Sequence, residues 1–87
     1  MAWKTTEQKW IGKRVKVMEG AGVASGKEGI VVPKRNVPTD GRGIPKIEGH
    51  YDVMKKDELA IVTDGGQLFT MFARNLKVIP YRSSDLK

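Results

Sequence analysis

The chain reads as a small all-β protein, a barrel of five or six short strands, and three features of its 87 residues say so. Apolar residues alternate or cluster in runs of four to six, the length of a strand rather than of a helix. Glycine and proline punctuate those runs at close spacing, as they do at the corners of a small barrel. An Asp64-Gly65-Gly66 turn between two such runs is a strong hairpin signal.

Residues 3–12 are the one stretch that suits a helical turn. Thr5 and Gln8 have capping-box spacing, Gly12 stands where a helix stops, and Trp10 and Ile11 supply the apolar contact so short a helix needs. Residues 14–18 form the first strand, with Val15 and Val17 on one face and Arg14, Lys16 and Met18 on the other. Gly20, Gly22, Gly26 and Gly29 then make a connection suited to positive φ angles. Residues 28–32 form the second strand, which Pro33 stops.

Residues 33–48 hold three prolines and two glycines, which deny them regular structure, and make a long basic loop carrying Lys34, Arg35, Arg42 and Lys46. Strands are expected again at 50–54 and 59–63, around the polar turn Lys55-Lys56-Asp57-Glu58. Residues 67–72 return from the hairpin, Ala73-Arg74-Asn75 makes a 3₁₀-type turn, and 76–79 close the sheet before Pro80. The expected core is Val15, Val17, Val31, Tyr51, Val53, Leu59, Ile61, Phe69, Met71, Leu76 and Val78; the pattern leaves open which of Ile30, Val31 and Val32, and which of Ile61 and Val62, point inward. The expected layout is an arm at 1–11, the barrel at 12–80 and a polar tail at 81–87.

Charge is unevenly spread. Residues 1–47 carry ten Lys or Arg against four acids, and residues 48–87 carry six of each. The whole surplus of +6 therefore lies in the first part of the chain, a field suited to phosphate-bearing or acidic partners. No apolar run is long enough for a transmembrane helix, and the N-terminus lacks the apolar stretch of a signal peptide, so the expectation is a cytoplasmic protein without a membrane partner. Catalysis finds no foothold. There is no cysteine, His50 is the single histidine, and Asp57-Glu58, the one adjacent acid pair, sits in a polar turn as solvated charge. Gly22-x-x-x-Gly26-Lys27 is too short for a phosphate-binding loop of the Walker type, and Glu28 stands where Ser or Thr is required. No cofactor, metal or small-molecule substrate is expected.

The run Gly22-Val-Ala-Ser-Gly26-Lys27-Glu28-Gly29-Ile-Val31, preceded by Val15 and Val17, resembles the KOW motif. That motif occurs in the SH3-like barrels of ribosomal proteins and of NusG-type elongation factors. Glu19-Gly20-Ala21 lengthens the turn by about two residues relative to the family pattern, and the likeness extends over residues 12–80. It implies an SH3-like barrel that serves either as an RNA-binding module or as a protein docking module. For nucleic acid or a ribonucleoprotein, the contact residues are Lys13, Arg14, Lys16, Lys27, Lys34, Arg35, Arg42 and Lys46, since Lys and Arg on loops neutralise phosphates. The alternative is a structural or assembly subunit, of which a phage or virion accessory protein is one kind, docking through its ends with Trp3, Trp10 and Tyr81 as anchors. Exposed aromatics for base stacking are scarce in the basic half, where Trp10 also suits a place over an open end of the barrel.

Overall fold

The computed structural model describes residues 6–20, 22–47 and 49–81. A short helix α1 (Thr6–Trp10) leads into β1 (Arg14–Val17), β2 (Glu28–Val32), β3 (Glu58–Thr63), β4 (Leu68–Phe72) and β5 (Leu76–Val78), with 3₁₀ turns at Gly22–Ala24, Lys34–Asn36 and Ala73–Asn75. The protein is a small, mostly-β domain. Its five strands form one antiparallel sheet in the order β4-β3-β2-β1-β5. First and last strands are neighbours, through Val15↔Val78, Lys16↔Lys77 and Val17↔Leu76. No ladder joins β4 to β5 among the described residues, so the sheet is open between its two edges and not a closed barrel. Trp3, the Thr5 cap and residues 82–87 lie outside the described residues.

Period-two geometry makes the inner face. Val31 pairs with Ile61, Ile61 with Phe69, Leu59 with Met71 and Val17 with Leu76. Val15, Val17, Ala24, Val31, Leu59, Ile61 and Leu76 form the buried cluster, and Trp10, Phe69, Met71 and Ala73 pack against it. Val31 and Ile61 are thus the inward members of their runs, while Ile30 and Val62 face each other on the opposite side of the sheet. Gly12 ends α1 with φ +83° and its N–H donates to the Val31 carbonyl at 2.8 Å, which ties the helix to the sheet and sets Trp10 on the core.

Of the glycine ladder, Gly20, Gly22 and Gly26 do adopt positive φ. Gly29 does not, and its role is different: a Cβ there would lie 2.3 Å from the Val62 carbonyl oxygen and 2.8 Å from Ile61 Cγ2. Only glycine lets β2 and β3 approach so closely. At the hairpin, Gly66 N–H donates to Thr63 O and Thr63 N–H to Gln67 O, with positive φ at Gly66. The result is a three-residue loop, with the left-handed position one residue later than a two-residue Asp-Gly turn requires.

Two expectations fail. Residues 50–54 form no strand: Tyr51 is 87% exposed and Val53 is exposed too. Both neighbour positions of β3 are already taken by β2 and β4, and the nearby amides of Val53 and Lys55 are satisfied by the carboxylates of Asp52 and Glu58 instead of by a ladder. Val78, at the end of the three-residue β5, is likewise exposed. The long loop, by contrast, is more structured than its prolines suggest. It holds the 3₁₀ turn Lys34–Asn36, a Thr39↔Pro45 bridge and a buried Val37, and the Asp40 carboxylate accepts the N–H groups of Arg42 and Ile44 at its tip.

Candidate functional site

Arg14 is the clearest correction among the expected contact residues. Strand alternation places it beside Lys16 on an outer face, yet its side chain is 1% exposed. That face of β1 is covered at Arg14. Ile30 stands opposite Arg14 and Val62 beyond it, and the β3–β4 hairpin brings Asp64 against the guanidinium. Asp64 accepts two hydrogen bonds, from Nη1 at 2.9 Å and Nη2 at 3.0 Å, and Glu28 accepts from Nη2 at 3.0 Å. Arg14 therefore joins β1 to a hairpin 50 residues away. It is a structural cation.

The other cations fall into two groups. Lys34 is half-buried; its Nζ donates to the Lys55 carbonyl at 3.0 Å and its backbone N–H to the Glu7 carboxylate, so it joins the loop to α1 and to the turn before β3. Arg42 is exposed but paired with Asp40 at 3.0 Å. Lys13, Lys16, Lys27, Arg35 and Lys46 are exposed and have no ion-pair partner among the described residues. Lys27 Nζ sits 5.8 Å from the centre of the Phe69 ring. Sequence reasoning missed Lys77, which is exposed and directly across the β1·β5 ladder from Lys16. A cation at an alternating position of the last strand is a visible signal, but only the pairing of first and last strands puts it beside Lys16. Like charges directly opposite repel, and an anion bound between them relieves that repulsion.

The carboxylates behave in the opposite way. Glu28 and Asp64 hold Arg14, Glu7 holds the Lys34 amide, Asp40 holds Arg42, Asp52 holds Lys55, Asp57 holds Arg74, and Glu58 holds His50. The backbone N–H groups of Arg42 and Ile44 keep Asp40 below its ordinary value, and that of Val53, with Lys55, does the same for Asp52. Glu19 is the exposed acid beside the glycine turn. Among the described residues negative charge is thus largely paired within the chain, while the surplus of lysine is left unpaired and facing solvent.

Glu58 also departs from the solvated pair expected of Asp57-Glu58, because it begins β3 and is buried. Burial opposes its ionisation, but the Lys55 N–H, the Thr70 hydroxyl and His50 Nε2 at 2.9 Å outweigh that and hold its carboxyl below the ordinary value of 4.5. Its contribution to stability is therefore complete above pH 4.5 and lost as pH falls through the lower folded-state value. Urea melts between about pH 5 and pH 3 should show wild type losing more stability than Glu58→Gln. Parallel losses would mean that Glu58 is not the titrating group.

The expected anchors divide as well. Trp10 packs on the core, and the Tyr81 hydroxyl donates to the Gly12 carbonyl, holding the chain after β5 against the end of α1. A groove of about 600 Å³ runs along β4, with Lys27, Lys46, His50, Leu68, Phe69 and Thr70 among its lining. No group of three or more metal-ligating side chains occurs among the described residues, and no helix among them is long and apolar enough to cross a membrane. No family model matches the chain, nor does any curated protein or solved structure resemble it significantly.

Proposed function

We propose that this protein is a non-catalytic binding module that contacts nucleic acid, free or within a ribonucleoprotein, through its basic surface. The observation that carries the reading is the division of charge. Among the described residues every acidic side chain but Glu19 is bonded to a partner within the chain, whereas Lys9, Lys13, Lys16, Lys27, Arg35, Lys46, Lys56 and Lys77 are exposed without ion-pair partners. A phosphate backbone meets such a surface without first displacing carboxylates. The exposed ring of Tyr51 adds a surface on which a base can stack. The strand order, with β1 beside β5, supports an open SH3-like sheet of the KOW kind as the scaffold. A cytoplasmic setting goes with this reading, and a virion setting with the assembly-subunit alternative.

Titration of single-stranded RNA and duplex DNA at several salt concentrations tests this through tryptophan fluorescence or anisotropy. Binding should weaken steeply with salt, and Lys16→Gln with Lys77→Gln should flatten the log–log slope by about 0.7 to 0.9 for each phosphate no longer neutralised. Arg35→Gln should flatten it more than Lys34→Gln, because Lys34 is engaged with the Lys55 carbonyl. No binding at low salt overturns the reading and leaves a protein-docking subunit as its replacement.

A further inference from the structure

The hydrogen bonds that bracket the β3·β4 ladder show which backbone groups remain unused. Thr63 N–H donates to Gln67 O and Ala73 N–H to Asp57 O, so Gln67, Phe69 and Met71 direct their N–H and C=O toward β3. Leu68 and Thr70, which alternate with them, direct theirs to the free edge. That edge borders the groove, whose lining takes residues 67–71 of β4 and its start together with Ala24, Lys27, Lys46, Ile47, Gly49 and His50. Within Leu68–Phe72 there is no proline and no charged residue, the devices by which edge strands usually resist pairing.

We propose that the free edge of β4 captures an extended acidic segment of a partner protein as an added strand. Backbone hydrogen bonds from Leu68 and Thr70 supply the pairing, and the walls choose the charge. Lys27 and Lys46 are both exposed in the groove, and its described lining holds no carboxylate. A second copy of this chain is a poor occupant, because pairing β4 with β4 brings those lysines against their own counterparts. Lys27 and Lys46 also belong to the proposed nucleic-acid surface, but the strand pairing rests on the backbone edge of β4, which that reading does not use.

The test uses fluorescent peptides with glutamate alternating with valine, a lysine-for-glutamate version, and two acidic versions N-methylated at odd or at even positions. Anisotropy should show the acidic peptide binding at least about tenfold more tightly than the lysine version. One of the two N-methylated peptides should lose at least about tenfold while the other binds nearly as before, because only alternate amides of an added strand face β4. Lys27→Glu with Lys46→Glu should invert the preference for charge. Leu68→Pro, which removes an outward amide and no ladder bond, should abolish capture while circular dichroism stays native. If that variant unfolds, the N-methylated pair still decides. Equal binding of both N-methylated peptides, or a β4-edge dimer that the acidic peptide cannot displace, overturns the proposal.

Discussion

Gly29→Ala is expected to cost about 3 kcal/mol, the upper range for overpacking, and to lower the melting temperature by about 12 to 24 °C. The added carbon would sit 2.3 Å from one backbone atom, the Val62 oxygen, and 2.8 Å from another, the Val62 carbonyl carbon. A side chain could swing aside; a carbonyl in the β2·β3 ladder moves only if the ladder opens. Backbone strain is not the cause, since Gly29 is absent from the positive-φ glycines. Gly65→Ala is the matched control. Nothing lies within 4 Å of its Cβ position and its φ is ordinary, so it should shift stability by less than about 1 kcal/mol. Urea unfolding of both variants checks the pair. A Gly29→Ala protein within about 1 kcal/mol of wild type would mean that β2 and β3 can separate at this point without loss.

Removing charge from either end of the Arg14 cluster should have unequal costs. The guanidinium is 1% exposed, whereas the Asp64 side chain is 37% exposed. Asp64→Asn removes one of the carboxylates that hold this buried cation, and is expected to destabilise by about 2 to 3 kcal/mol. Arg14→Met leaves carboxylates that water already reaches, so its cost should be smaller, about 1 to 2 kcal/mol after allowing for solvent screening. Asparagine preserves the turn chemistry at position 64, so the comparison reports charge and not the hairpin. A double-mutant cycle by urea unfolding measures the coupling. Equal costs, or a larger cost at Arg14, would contradict the buried-cation account.

What could be read from the residues alone was mainly local. Val15, Val17, Leu59 and Ile61 announce their strands by alternation or by apolar clustering, and Asp64-Gly65-Gly66 announces its hairpin by turn chemistry. The failures are positions where a distant partner decides. His50-Tyr51-Asp52-Val53-Met54 alternates as well as any strand here, but β3 has no vacant neighbour for it. Arg14 looks like a surface cation until Asp64 is brought to it across 50 residues. Lys34 looks free until its ammonium meets the Lys55 carbonyl. The basic surplus was legible from composition, whereas its division into engaged and exposed cations was not. The free edge of β4 is a property of strand order, and strand order is not written in any one segment.

The pairing of first and last strands also fixes how the sheet meets mechanical load. Val15 lies opposite Val78 and Val17 opposite Leu76, and Ile79 N–H donates to the Arg14 carbonyl. The chain therefore enters β1 and leaves β5 at the same end of one short ladder. Tension applied through residues 13 and 80 reaches that ladder at its Arg14–Ile79 end, and its pairs part in succession instead of sharing the force. The Tyr81 hydroxyl on the Gly12 carbonyl spans the point where this peeling begins. It is a clasp at the mouth of a zip.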